Sequence, residues 1–315
     1  MVANWRIDAT ISAMDEQPVT HLRDLRRAGM SYREAHTSVA GQVRLAPAAY
    51  GHVDGRTPEE RHLLQAMAVL DRVVQAVASH ATAAAAWKLP LRAMDLKQVH
   101  LSPMAGRPGK PKRGPAHVMH AAPVELTDVH QVSGISATSP MRTVLDCARS
   151  MSGDWGVVVA DAAIHARLVP MGELTRAATA MRHLHGSARA RALAGLISPF
   201  AESPAETLTR LRLGRVGIQP REQVVLDDVE GAPRVDFLID DCLVVEFDGQ
   251  TKYTIDGDPA LAHWREKQRH DRIVEAGYEV LHLTWSDLWD EAALRARVWA
   301  ALRRARSRAA ASPGA

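Results

Sequence analysis

The segment RVDFLIDDCLVVEFDG at 234–249 constrains the fold of this chain more than any other. It reads as two short apolar strands, 235–239 and 242–247, joined by a tight acidic turn at Asp240-Asp241. Asp236 falls in the first strand; Glu246 and Asp248 fall in the second, two residues apart and so on one face. Asp236 joins them across the hairpin. Carboxylates that converge on an apolar hairpin repel one another, and burial alone supplies no reason to gather them. A divalent cation does, because Mg²⁺ takes hard oxygen ligands and completes its shell with water and substrate phosphate. The expectation is a metal-dependent phosphodiesterase centre using Mg²⁺ or Mn²⁺, with Asp236, Glu246 and Asp248 as ligands.

An Asp followed about ten residues later by Glu-x-Lys on a hairpin resembles the PD-(D/E)XK nuclease core, and RVDF…VVEFDG is most similar to the branch of the very-short-patch-repair (Vsr) endonucleases. The flanks agree with that resemblance. In ESPAETLTRLRL at 202–213, Ser203 is placed to cap a helix with Pro204 at its first position. Glu206 matches the glutamate of the family's first helix, which faces the metal. After the hairpin, 266–277 reads as a helix stopped by Gly277, 278–285 as a strand, and a last helix begins near Ser286. The order α-β-β-β-α-β-α over 201–308 is the one the resemblance implies. The third motif position departs from it: Asp248 stands where the pattern has Lys. The missing cation is sought in Lys252, just after the hairpin, or in Lys267 on the next helix. The resemblance thus implies Glu206, Asp236, Glu246, Asp248 and Lys252 as catalytic, with Arg221, Gln223 and Lys267 toward DNA.

At 315 residues the chain should hold two or three domains. It is 46% hydrophobic and 24% charged, and its net charge of +3 is too small for a polycation, so a nucleic-acid site must be a local patch. Cys147 and Cys242 lack metal-ligand spacing and read as small buried hydrophobes of a reducing cytosol. No leader pattern opens the chain, and no apolar run reaches the about 18 residues that span a bilayer. The expectation is a cytoplasmic protein without membrane partners or an organic cofactor.

Residues 1–55 read as helix (7–14), helix (19–29), turn, helix (31–39) and a β-wing (43–51), the layout of a winged helix-turn-helix. Ser31 and Glu34 make a capping box. Arg33 and His36, beside Ser31, Tyr32 and Thr37, are the groove candidates, with Arg44 on the wing. Residues 56–200 read as an α-rich middle domain. Its helices are expected from Thr57 to about Val77, at 79–87, after the Ser139-Pro140 cap, at 157–165 and from 169, with strands at 99–101, 117–121 and 129–132. The loop 106–114, rich in Gly, Pro and cations, reads as an irregular basic finger. His80 reads as a capping or core histidine, and His183 and His185 as surface residues.

The strings SHATAA at 79–84, TSPMRTVLD at 138–146 and DAAI at 161–164 resemble the abortive-infection type IV antitoxins (AbiEi-like). That resemblance implies an N-terminal repressor domain and a nucleotidyltransferase-type toxin as partner. Two functions follow: a Mg²⁺-dependent DNA endonuclease targeted by its N-terminal region, or a DNA-binding repressor and antitoxin with a silent nuclease fold. The last helix gathers arginines on its way to 308, and 309–315 are expected to be a disordered tail.

Overall fold

The computed structural model describes residues 18–106, 111–248 and 259–311, without the side chains of 259–263. The expected first helix at 7–14 and Lys252 lie outside them. The chain divides into two compact units, 1–197 and 198–315.

The first unit begins with β1 (Thr20–His21), α1 (Leu22–Arg27), α2 (Tyr32–Ser38), β2 (Val43–Ala46) and β3 (Ala49–Gly51), the strands forming an antiparallel sheet in the order β1-β3-β2. The capping box that opens α2 is formed: Glu34 N–H donates to Ser31 Oγ at 3.3 Å and Ser31 N–H to Glu34 at 2.7 Å. Leu22, Ala35 and Val39 bury the helix faces against Leu25, Ala48 and Tyr50.

Next come α3 (Pro58–Leu70), β4 (Ala76–Ala78), α4 (His80–Ala86), β5 (Val99–Pro103), β6 (Lys112–Arg113), β7 (His117–Met119), β8 (Val129–Val132) and β9 (Ile135–Thr138). The strands build a six-stranded mixed sheet in the order β6-β7-β5-β4-β9-β8. The sheet extends beyond the three strands expected in the middle region, which otherwise keeps its helices. The helix expected to reach Val77 ends at Leu70, and Val77 is a strand residue. The central strand β4 is only three residues of Ala and Val, and such a short apolar run has no periodicity to tell it from the end of a helix. Lys112 and Arg113, expected in an irregular finger, pair with Met119 and Val118. Sheet pairing there overrides the local Gly and Pro signal, and Gly114 N–H closes the turn on the His117 carbonyl at 2.8 Å. Leu45, Ala46 and Ala49 of the first sheet share one core with Leu64, Val99, Leu101 and Ile135.

Four helices complete the unit: α5 (Pro140–Ser150), α6 (Trp155–His165), α7 (Met171–Ala180) and α8 (Ser187–Leu193). Ser139 caps α5 as expected, accepting from Arg142 N–H at 3.3 Å. α5 and α6 touch backbone to backbone: a Cβ on Gly156 would lie 2.9 Å from Ala148 Cα. His183 and His185 are exposed.

The second unit runs α9 (Pro204–Arg215), β10 (Arg221–Val225), β11 (Arg234–Ile239), β12 (Leu243–Phe247), α10 (Pro259–Glu275), β13 (Glu279–Leu283) and α11 (Glu291–Ala311). The element order is the expected one. A four-stranded sheet, β10-β11-β12-β13, is antiparallel except for the parallel pair β12-β13. Every residue of β12 is buried, which accounts for its continuous apolar run. α10 includes residues from Pro259, seven positions before the expected 266, and α11 covers 309–311, which were expected in the tail. Asp240 and Asp241 take φ +50° and +53°, the left-handed pair a tight hairpin turn requires and Asp tolerates. Both are ion-paired, to Arg306 and Arg221 respectively.

Both cysteines are buried and free. Among the described residues no helix is long and apolar enough to cross a membrane.

Candidate active site

The strand registers of the second unit carry one row of polar side chains across the sheet. Glu246 on β12 pairs with His282 on β13. Asp236, one step beyond the Phe237–Val245 pair, stands opposite Glu246. Gln223 lies between the pairs Glu222–Phe237 and Val224–Val235, so it stands opposite Asp236. Directly opposed residues share a face. The row therefore reads Gln223, Asp236, Glu246, His282, one residue from each strand.

Helices bring further groups to this row. Glu206 lies in the first turn of α9, where its N–H donates to Ser203 Oγ at 3.2 Å. Its carboxylate accepts from Glu202 N–H at 2.8 Å, from Ser203 Oγ at 2.7 Å and from the Gln223 amide at 2.9 Å. Gln223 reaches it from φ +50°, a conformation that costs a non-glycine residue energy and concentrates at functional sites. Burial raises the pKa of Glu206, and the charge of Asp236 adds to that rise. The two carboxylates thus feel each other in a poorly solvated place. Asp236 Oδ2 accepts from Phe247 N–H at 3.0 Å, which ties the acid to the end of β12.

Glu246 is buried and in contact with Arg269 of α10. Arg269 Nη2 lies 2.5 Å from Oε1 and Nη1 3.3 Å from Oε2. Asp248 is exposed at the strand end, its carboxylate 3.4 Å from His282 Nδ1, and His282 Nε2 is 3.5 Å from His270 Nδ1. Nearby, Arg234 makes a two-point pair with Glu202 at 2.7 and 2.8 Å.

Of the sequence candidates, Glu206, Gln223, Asp236 and Glu246 therefore come together. Lys267 is exposed on α10, and the cation that meets Glu246 is Arg269. Arg221 is engaged at the hairpin turn with Asp241. Sequence reasoning missed Arg269 and His282. His282 becomes visible only when 243–247 is laid beside 279–283, since that parallel register sets it against Glu246, while Arg269 reaches Glu246 from α10.

Among the described residues no three His, Cys, Asp or Glu side chains are arranged to hold a metal ion together. Asp236 and Glu246 stand on neighbouring strands, and Glu206 reaches the row through Gln223.

In the first unit Arg33 and Arg44 are exposed. His36 is half-buried, its ring 4.3 Å from that of Tyr32. No protein-family model matches this chain, and neither a curated protein nor a solved structure provides a match.

Proposed function

We propose that the second unit is a metal-dependent DNA endonuclease centre of the PD-(D/E)XK, Vsr-like kind, on a chain that binds DNA through its N-terminal helices and hairpin. The single observation that carries this reading is the polar row Gln223–Asp236–Glu246 across three neighbouring strands, with Glu206 set against it. Glu246 and Asp236 would hold Mg²⁺ or Mn²⁺, with Asp248 at the rim. Bound there, the ion supplies a more acidic water and neutralises charge on the scissile phosphate. Gln223 fixes the Glu206 carboxylate, which orients water beside Asp236. Phe247 N–H holds Asp236 in place for that role. Asp248 takes the motif position of lysine, so the positive charge of the centre comes from elsewhere, Lys252 and Lys267 being the sequence candidates. Arg33, His36 and Arg44 of the first unit, with Arg221 and Lys267 of the second, are the proposed contacts to DNA.

The test is cleavage of supercoiled plasmid by the full chain with Mg²⁺ or Mn²⁺, alongside Asp236→Ala and Glu246→Ala. Nicking or linearisation by the wild type alone supports the reading. Equal cleavage by either variant removes the mechanism.

A second reading draws on the Arg269–Glu246 pair, which ties up a proposed ligand. In it the chain is a DNA-binding repressor of the AbiEi-like antitoxin kind with a silent nuclease fold and a nucleotidyltransferase-type toxin as partner. Retarded DNA without cleavage in either metal favours it.

A further inference from the structure

Three strands of the first unit set a second polar group on one face of the six-stranded sheet. Arg113 of β6 and His100 of β5 both stand opposite Val118 of β7, so the three share a face. His120, two residues beyond Val118, follows on that face, and its Nε2 lies 2.9 Å from His100 Nδ1. The ring of His80 stacks against that of His120. Arg149 can only donate, so its contact with His80 Nε2 makes that nitrogen the acceptor and places the His80 proton on Nδ1, toward Ser79. His80 is thereby held neutral beside the other two rings. Each neutral imidazole carries one proton, and one of the two protons of the His100–His120 pair lies between the rings. The outer nitrogens, His100 Nε2 and His120 Nδ1, are then one donor and one acceptor, whichever ring donates to the other. Neither has a hydrogen-bond partner among the described residues. Both rings are half-buried, and Arg113 is exposed.

The surroundings are cationic. Burial, and then the charges of His62 and Arg113 on His100 and of His100, Arg149 and Arg113 on His120, keep both rings neutral at pH 7. The two carboxylates nearby are already paired: Asp146 with Arg142 and Arg149, and Asp95 with Arg92 at 2.8 Å. The ligand that fits is an anion presenting an acceptor and a donor at once. A phosphate monoester does so, because its second proton leaves at about pH 6, whereas a carboxylate, a sulfate or a phosphodiester carries no proton at neutral pH. We propose that Arg113, His100 and His120 form a binding site for a phosphate monoester, the terminal phosphate of a free nucleotide or of a nucleic-acid 5′ end. The outer imidazole donor binds a phosphate oxygen, the outer acceptor takes the P–OH, and Arg113 offers its planar fork to the remaining oxygens. A monoester dianion has no P–OH, so it binds with uptake of one proton from solvent. Affinity therefore falls about tenfold per pH unit above about pH 6.

The experiment is calorimetric titration of the full chain with a nucleoside 5′-monophosphate, with inorganic sulfate, and with a short oligonucleotide carrying or lacking a 5′ phosphate. Each titration is run in buffers of low and high ionisation enthalpy, so that proton uptake is read from the heats. The monophosphate should bind with uptake of about one proton at about pH 7.5, and about tenfold more tightly than sulfate. Arg113→Gln should weaken it about tenfold. His100→Leu removes an outer nitrogen and the shared proton, and should abolish both binding and proton uptake. Arg113 is exposed on a two-residue edge strand, so its variant tests the site if His100→Leu does not fold. A 5′ phosphate that tightens oligonucleotide binding identifies a nucleic-acid end as the source. Binding of the monophosphate without that gain identifies a free nucleotide, and either supports the site. Equal affinity for sulfate and monophosphate without proton uptake, unchanged affinity in Arg113→Gln, or no binding through the phosphate of either probe overturns it.

Discussion

The imidazole of His80 lies parallel to that of His120, ring centroids 3.4 Å apart and 10° between planes, deep in the first unit. His80 is buried at the start of α4 with φ +52°, its Nδ1 3.0 Å from Ser79 Oγ and its Nε2 3.3 Å from Arg149. His100 Nδ1 meets His120 Nε2 at 2.9 Å. Asp146 of α5 binds Arg149 at 2.9 Å and Arg142 at 3.1 Å, so the nearest carboxylate is already neutralised by arginines. The core reading of His80 thus describes its burial; the polar network around it was not expected.

This network predicts acid sensitivity. Burial, then the charge of neighbouring His and Arg groups, lowers His120 to about 3; burial and the charges of His62 and Arg113 lower His100 to about 4. His80 is lowered too, chiefly by burial. Folded-state values below 6.5 mean that the unfolded chain takes up protons first as pH falls, so stability is full above about 6.5 and declines toward 4. Denaturant unfolding should show the first unit losing stability between pH 7 and 5, and His120→Gln should flatten that loss. A wild-type profile level over this range would contradict the account.

The α5–α6 contact predicts a steric cost. Gly156→Ala places a methyl 2.9 Å from Ala148 Cα, a backbone atom that no rotamer change can move. The expected destabilisation is about 1–3 kcal/mol, read as a lower unfolding temperature.

Asp236 should trade stability against activity. Asp236→Asn keeps an acceptor for Phe247 N–H and removes a charge that adds to the burial raising Glu206. Its unfolding temperature should equal or exceed wild type, while plasmid cleavage drops at least about 100-fold. A variant that cleaves as well as wild type would remove Asp236 from the chemistry.

On the first unit, Arg33→Ala and Arg44→Ala should each weaken DNA binding uniformly across sequences and lower the salt slope by about 1, the mark of a lost phosphate contact. Fluorescence anisotropy against salt concentration measures both. An unchanged slope in both variants would put DNA on another surface.

The features legible from residue order alone are local. The Ser31–Glu34 box, the Ser139 and Ser203 caps and the 234–247 hairpin each follow from hydrogen bonds or alternation within a few residues. Asp236 and Glu246 were legible for that reason, since one turn sets their register. Tertiary structure decided what depends on distant partners. β4, three residues long, is a strand because β5 and β9 flank it. Lys112–Arg113 is a strand because β7 offers its edge. Arg269 belongs to the site because α10 lies between two strands that pair in parallel, a register no turn specifies. His80, His100 and His120 are far apart in the chain, and only the packing of α4, β5 and the segment after β7 stacks their rings. Local hydrogen bonds carry short-range information; contacts across the sheet depend on which apolar faces find each other.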